Sequence, residues 1–332
     1  MRSSTRGSTR AKPTEVSRRA LVTGAGGFVG AGITRRLVEQ GHEVTALVGI
    51  GGDLWRLGDL VASIQPVEVD LREPDAVTQA FLHVRPEWVF HLAAHGGYSW
   101  QTDRRRIFDS NLLGTINVLE AVQEVGSEIA LIAGSSSEYG IKDHAPAESE
   151  PLEPNSDYAV AKAAATLLAC HLGREHGLPV ATLRLYSVFG PFEQPGRFIP
   201  TLVAHALRGE LPPLVDPSIA RDFVYLDDVV DAFLLAAARG VTPGDVFNVG
   251  TGVETTIAAA VDSARRTLGV EATPQWGSMN AREWDTQTWV GDPARIRSAL
   301  GWSPAVSFDD GLARTAEWLR ARTDLWQRYG LD

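Results

Sequence analysis

Cysteine is almost absent from the 332 residues: Cys170 stands alone. A single thiol excludes an intrachain disulfide and a cysteine-based zinc cluster, and its apolar, helix-forming surroundings mark it as an inert core residue. Lysine is nearly as scarce, with Lys12, Lys142 and Lys162 the only three among 31 basic residues. No apolar run approaches the roughly 20 residues that a membrane span needs. Positive charge is also in deficit, 41 acidic residues giving a net charge of -10, which argues against a general nucleic-acid binder while leaving room for a local basic site for one diphosphate. The basic, Ser- and Thr-rich opening is followed by no hydrophobic segment of signal-peptide length, and residues 1–17 are expected to be a disordered arm. Together these features imply a soluble, cytoplasmic protein whose partners include neither a membrane nor nucleic acid, and no metal cluster is expected.

What is present is alternation. From Arg19 to about Arg184, short β-rich runs ("RALVTG", "EVTALVG", "PVEVDL", "EWVFHLAA", "IALIAGSSS", "PVATLRLYS") alternate with helix-length amphipathic runs. That is the sequence form of an α/β doubly wound (Rossmann) parallel sheet, whose strands read as nearly continuous apolar runs because both faces are covered. Residues 18–186 are assigned to this dinucleotide-binding unit. After Tyr186 the chain is punctuated by Gly190, Pro191, Pro195, Gly196, Pro200, Pro212 and Pro213, and residues 187–332 are expected to form mainly a smaller substrate-binding lobe. Within it "LDDVVDAFLLAAARG" predicts an amphipathic helix, and "GDVFNVG", near 245–249, a strand that returns to the main sheet.

The first strand runs into "TGAGGFVG", with Gly24, Gly27 and Gly30 three apart, and then into an amphipathic helix. Strand, glycine turn and helix in this order suit a pyrophosphate: Gly24 permits the tight turn, Gly27 lets backbone amides approach the anion, and Gly30 lets the helix pack close to the sheet. An acid at the end of the second strand would select NAD and an arginine NADP. Gly49 stands there and is neither, so Asp53 or Arg56 would have to reach in from the next turn; NAD is favoured and NADP remains open.

"NSDYAVAKAAAT" places Tyr158 and Lys162 four apart at the head of a helix, on one face. With six tyrosines and three lysines, roughly 0.05 chance matches to this spacing are expected. Ionising a phenol of ordinary pKa near 10 at neutrality requires roughly 4 kcal/mol, and one cation some 4 to 6 Å away supplies about 3 to 4 kcal/mol at an effective dielectric of 20. Lys162 and a positive nicotinamide ring would thus hold Tyr158 as a base. Ser135, at the end of the fifth strand in "AGSSSEYG", is the candidate hydroxyl that orients the reacting oxygen.

With these motifs the chain, from about Arg19 to Arg322, resembles the extended short-chain dehydrogenases that act on nucleotide sugars, the NAD-dependent epimerase/dehydratase family. Further marks are "HLAA" at His91 to Ala94, Asn111 in "NLLGT", "RLYSVFGP", "RDFVYLDDVVDAF", "NVGTG" and "LGWSP". The resemblance implies that the cofactor touches Phe28 and Val29 with the three glycines, Asp70 at the adenine, then Leu71, Leu92, Ala93, Ala94, Asn111, Tyr158, Lys162 and Tyr186. It also implies that Arg221 and Arg282 clamp a nucleotide diphosphate, for which planar guanidinium groups suit, and that His95, Ser136, Ser137 and Ser187 face the sugar, Ser187 standing where the family often has Asn. A homodimer through the helices beginning near Asp103 and Tyr158 is a further implication.

Removing the C5 proton in a 4,6-dehydratase needs an additional acid and base, which in the family that this chain resembles usually sit one and two places after the serine or threonine, here Ser135. Ser136 and Ser137 stand there, and neither is a base near neutrality; Glu138, one place later, should point to the opposite face of an extended strand. Uronate decarboxylation is disfavoured in the same way. Two readings need only Ser135, Tyr158 and Lys162: a nucleotide-sugar 4-epimerase with bound NAD, and a 4-ketoreductase using NADPH, the latter kept by the likeness of "GSSSEYG" to the "GSSEEYG" of some 4-keto-6-deoxymannose reductases. A non-catalytic dinucleotide sensor would be expected to have lost Tyr158 or Lys162. The loop "AAHGGYSWQTDRRR" should face the substrate, with Tyr98, Ser99 and Trp100 available to the sugar and an aromatic packing role equally open to Trp100.

Overall fold

Seven parallel strands form one sheet in the computed structural model, which describes residues 17–279 and 287–331. In chain order the strands and helices are β1 (Arg19–Thr23), α1 (Phe28–Glu39), β2 (Glu43–Val48), β3 (Gln65–Glu68), α2 (Pro74–Val84), β4 (Trp88–His91), α3 (Arg104–Phe108), α4 (Gly114–Val125), β5 (Ile129–Ser135), α5 (Asp157–His176) and β6 (Val180–Leu185). They continue with β7 (Ser187–Phe189), α6 (Phe198–Leu207), β8 (Ala220–Arg221), β9 (Phe223–Tyr225), α7 (Leu226–Arg239), β10 (Asp245–Val249), β11 (Thr255–Thr256), α8 (Ile257–Leu268), α9 (Ala294–Leu300), α10 (Phe308–Ala321) and α11 (Trp326–Tyr329).

The sheet order is β10-β6-β5-β4-β1-β2-β3. The winding reverses between β1 and β4, and in an open α/β sheet the crevice at the carboxyl ends of the strands there is where ligands bind. Ala20, Val22, Phe90 and Leu131 pack on one side of the sheet with Ile33 and Leu37 of α1 and Val229, Val230 and Phe233 of α7. Leu21, Val89, Ala130 and Ile132 pack on the other with Val77 and Phe81 of α2 and Val118 and Val122 of α4. The small lobe has its own core, in which Phe189, Leu202, Val203, Val261, Leu312 and Ala316 meet.

Two expectations are corrected. β3 is not buried on both faces: it is the last strand of the sheet, Gln65, Pro66 and Glu68 are exposed, and Pro66, which lacks an N–H, is tolerated because no further strand pairs with it. Nor does α7 belong to the small lobe: its apolar face packs against the dinucleotide half, as do Ile296 and Leu300 of α9. β10 pairs with β6, the expected return of residues 245–249 to the main sheet. Cys170 is buried in α5. The arm expected over residues 1–17 lies, except for Ser17, outside the described residues.

His91 closes the switch point. Its Nδ1 is 2.7 Å from the Thr23 hydroxyl and its Nε2 2.9 Å from that of Thr115. Thr115 donates to the Asn111 carbonyl at 2.6 Å, so it accepts from His91, which places the ring proton on Nε2 and leaves Nδ1 to accept from Thr23. Burial first, then the charge of Lys162, lowers the His91 pKa from 6.5 to about 3. A folded pKa below the unfolded one means that the unfolded chain binds more protons between these values. The neutral ring's stabilisation is therefore complete above about pH 6.5 and is lost as pH falls, about 2 kcal/mol by pH 5. Melting temperature should drop over this window, and a His91→Gln variant, less stable at neutral pH, should show a flatter dependence.

Candidate active site

The glycine turn between β1 and α1 is built by close approach. Gly24 has φ +65° and a side chain there would lie 2.7 Å from Ala93 Cα, while Gly27 N–H donates to the Gly24 carbonyl at 2.9 Å. α1 then starts at Phe28 with no side chain capping its first turn, so the backbone N–H groups at the positive end of the helix are presented to an anion. They open into a cavity of about 1460 Å³, larger than the roughly 300–1,000 Å³ of a site for one small ligand. Gly24, Gly27, Phe28, Val29 and Gly30 line it with Asp70, Leu71, Leu92, Ala93, Ala94 and Tyr186. An uncapped helix start, apolar walls and this volume fit a dinucleotide together with a second ligand.

Three expectations at this end are corrected. Asp53 and Arg56 do not reach the cavity. Asp53 accepts from Trp55 N–H at 2.9 Å and pairs with Arg328 at 3.5 Å, while Arg56 is buried, donating to the carbonyls of Phe192 (2.8 Å) and Gly26 (3.1 Å) and to Gln194 Oε1 (3.0 Å). The wall after β2 is formed by Gly49 and Ile50 instead. Asn111 does not line the cavity either: it sits buried in a π-helical turn, Asp109–Leu113, where it accepts from His95 N–H at 3.1 Å and donates to the carbonyls of His95 (2.6 Å) and Ile107 (2.8 Å). It holds the loop that carries His95. Asp70 is on the wall, and its bonds to Arg72 (2.6 and 2.9 Å) hold its carboxyl below the usual range.

Ser135, Tyr158 and Lys162 line the same cavity, the Ser135 hydroxyl bonding to the Tyr158 phenol. α5 starts at Asp157, capped by Ser156, whose hydroxyl accepts from Ala159 N–H at 3.2 Å, so Tyr158 and Lys162 lie on successive turns. Tyr158 is half-buried. Burial first, and the Glu138 charge second, push its phenol up to about 12, against the Ser135 hydroxyl and the Arg197 charge, which pull it down. Lys162 is 3% exposed. Burial lowers its pKa, the Glu138 charge opposing, and its ammonium makes no hydrogen bond or ion pair with a described residue. The protein surroundings alone therefore do not produce a phenolate at neutrality; a further positive charge beside Tyr158 is needed.

The turn after β5 decides what else can act there. Ser136–Tyr139 is a short 3₁₀ segment with Ser135 as its cap. The Ser135 and Ser137 hydroxyls are 2.7 Å apart, and Ser136 accepts from Trp289 Nε1 at 3.0 Å. Glu138 turns under the site, fully buried, and pairs with Arg184 at 2.8 Å. It leaves the Ser137 side as expected, but by the turn's geometry rather than by strand alternation. His95, Ser136, Ser137, Ser187 and Arg221 line the same cavity, Arg221 lying 5.7 Å from the Trp289 ring; Arg282 lies outside the described residues. Tyr98 and Ser99 also line it, whereas Trp100 is 64% exposed and stacks flat on Tyr98 at 4.6 Å.

A family model described as the NAD dependent epimerase/dehydratase family matches residues 20–250. The chain belongs to that family. This epimerase/dehydratase-family protein is 31% identical over 316 residues to a UDP-glucose 4-epimerase of Mycolicibacterium smegmatis, covering 92% of this chain and 99% of the relative. It is 28% identical over 323 residues to a dTDP-glucose 4,6-dehydratase of Xanthomonas campestris, covering 90% and 92%. Among solved structures, the Thermus thermophilus UDP-glucose 4-epimerase in complex with NAD superposes with a TM-score of 0.82 at 29% identity, over 92% of this chain and 99% of that one. The protein is thus an NAD-dependent enzyme of the short-chain dehydrogenase type, and NAD is its cofactor.

Arg197, Glu193 and Trp289 also line the cavity of this family member and were not singled out from sequence. Arg197 lies 5.9 Å from the Tyr98 ring and 3.9 Å from the Glu193 carboxylate. Burial pushes Glu193 up to about 8 against the pull of the Arg197 and Arg56 charges. No local pattern marks them: the first two follow a Gly/Pro-punctuated stretch and the third comes from a distant segment, so only the fold brings them to Tyr98 and Ser136.

Proposed function

We propose that the protein is a nucleotide-sugar 4-epimerase in which Tyr158 is the acid/base, Lys162 its supporting cation and Ser135 the hydroxyl that orients the reacting oxygen. The observation that carries this reading is the turn after Ser135. It offers the substrate only the hydroxyls of Ser136 and Ser137, its one carboxylate, Glu138, being spent beneath the site on Arg184. That suits proton exchange at one sugar hydroxyl and not the loss of water, which needs a further acid and base. Tyr158 takes the C4 hydroxyl proton and returns it after the 4-keto sugar has turned over; Ser135 holds the oxygen, Lys162 stabilises the phenolate, and Arg221 with Arg282 binds the diphosphate. His95, Ser136, Ser137 and Ser187 face the sugar. Bound NAD supplies the acceptor and donor of the hydride.

The test is mass spectrometry of the cofactor released from freshly purified protein, followed by incubation with a panel of UDP- and dTDP-linked sugars without added cofactor. Retained NAD with interconversion of two C4 epimers is the expected result. A protein inert until NADPH and a 4-keto sugar are supplied would instead be a reductase.

The proposal includes a cytoplasmic homodimer. Among the described residues no helix is long and apolar enough to cross a membrane, and the single cysteine is buried. α5 and the turn Asp109–Leu113 pack together and leave Val160, Leu167 and Leu113 exposed, Val160 and Leu167 on one helix face. Sedimentation at micromolar concentration should give a dimer for the wild type and a monomer for Val160→Glu/Leu167→Glu; a monomeric wild type would refute the dimer.

A further inference from the structure

The carboxylate beneath the site has more to do than neutralise Arg184. Glu138 and Ser135 form a reciprocal box: Ser135 Oγ accepts from Ser137 N–H at 3.2 Å, and Glu138 Oε1 accepts from Ser135 N–H at 2.8 Å. This fixes Ser135 by its backbone as well as by its hydroxyl. Glu138 Oε2 accepts from Arg184 Nε at 2.8 Å, Arg184 Nη1 donates to the Tyr139 hydroxyl at 2.7 Å, and Tyr139 donates to Asn248 Oδ1 at 2.8 Å. The box is thus tied through β6 to β10. Gly134 is left bare for it, since a side chain there would lie 2.9 Å from Glu138 Oε1 and 2.7 Å from Thr182 Cγ2.

We propose that Glu138 is a positioning residue: it sets the direction in which Ser135 presents its hydroxyl to the reacting oxygen. The proposal rests on the Tyr158 and Ser135 roles given above. A carboxylate with no exposed surface acts through little screening, and the Tyr158 and Lys162 protons are both retained more strongly because of it. Beside Tyr158 stand Lys162, one turn further along α5, and Arg197, Tyr98 and Ser135, which also bear on its proton; Arg184 pairs with Glu138.

Glu138→Gln keeps the acceptor for Ser135 N–H but leaves the buried Arg184 charge without its carboxylate, so Glu138→Gln/Arg184→Met, which buries no lone charge, is made beside it. The first readout is the ultraviolet difference titration of tyrosinate in the NAD-loaded protein, with the Tyr158 component identified by its absence in Tyr158→Phe. Its midpoint should fall by about one unit in either variant. The second is turnover. The double variant should lose about tenfold in kcat with KM little changed, and adding Ser135→Ala should make it no slower than Ser135→Ala alone, because residues acting through one group are not additive.

A stability loss with an unmoved tyrosinate midpoint, or losses that multiply with that of Ser135→Ala, would show Glu138 to be structural only and overturn the proposal. A Tyr158→Phe protein that turns over at the wild-type rate removes the acid/base reading and the proposal with it, and that control separates the two failures.

Discussion

Tyr158→Phe is expected to lower kcat by about 10³-fold while NAD remains bound and the melting temperature stays within a few degrees of wild type. The substitution removes one hydroxyl and keeps the ring in the half-buried position that it occupies at the head of α5. A loss of that size corresponds to about 4 kcal/mol of transition-state stabilisation, within the range of general acid–base catalysis. The effect should exceed that of Ser135→Ala, because in the proposed mechanism Ser135 acts on the reacting oxygen only through a hydrogen bond. The pH dependence has a definite sign. Burial and Glu138 hold the phenol up near 12 against the pull of Ser135 and Arg197, so with the base ionised only in part the rate should climb as pH rises above neutrality. Lys162→Met, which removes a cation that no described residue pairs, should push that climb to still higher pH. Single-turnover rates on the nucleotide sugar found by the panel, with NAD content measured in parallel, check all three. Turnover of Tyr158→Phe within tenfold of wild type would place the acid/base elsewhere, and Glu193, a buried carboxyl on the cavity wall that burial pushes up to about 8, would be examined first.

What was legible in the sequence was local. Gly24, Gly27 and Gly30 occupy one turn, and Tyr158 and Lys162 one helix face, so spacing alone places each set. Strand and helix alternation likewise reads directly as a doubly wound sheet. The readings that went astray depended on contacts distant in sequence. Asp53 and Arg56 follow β2 at the right distance to reach a ribose, yet Arg56 is drawn to carbonyls of Gly26 and Phe192, a partnership across 136 residues in the second case that no local pattern announces. Asn111 is where a helix approaches the site, but a π-helical turn rotates it toward His95 and Ile107. α7 has an apolar stripe that any core could bury, and its spacing does not say whether the lobe or the sheet does so. Strand alternation turns Glu138 away from Ser137 on paper, but the physical cause is different: Ser136–Tyr139 is a tight turn whose cap draws the carboxylate under Ser135.

Gly30→Ala should abolish retention of NAD and lower stability by about 1–3 kcal/mol, the usual cost of forcing an atom into a packed site. A Cβ on Gly30 would fall inside the contact distance of the Gly24 carbonyl oxygen and crowd Ala25 Cα as well. Every nearby atom is backbone, so no side chain can swing away. Either α1 lifts from the sheet or the turn at Gly24 opens. The second is resisted by Ala93, whose Cα already approaches the place where a Gly24 side chain would lie to 2.7 Å. Both movements displace the uncapped N–H groups of α1 from the anion that they are placed to meet, so binding should suffer more than folding. Gly49→Ala is the matched control, because a Cβ there meets nothing within 4 Å although the residue lines the same cavity. Melting curves and the NAD content of the purified proteins separate the two variants: Gly30→Ala folded but empty and Gly49→Ala folded and loaded is the expected pair. If Gly30→Ala were fully loaded and equally stable, close packing of α1 on the turn would not be what holds the anion site together.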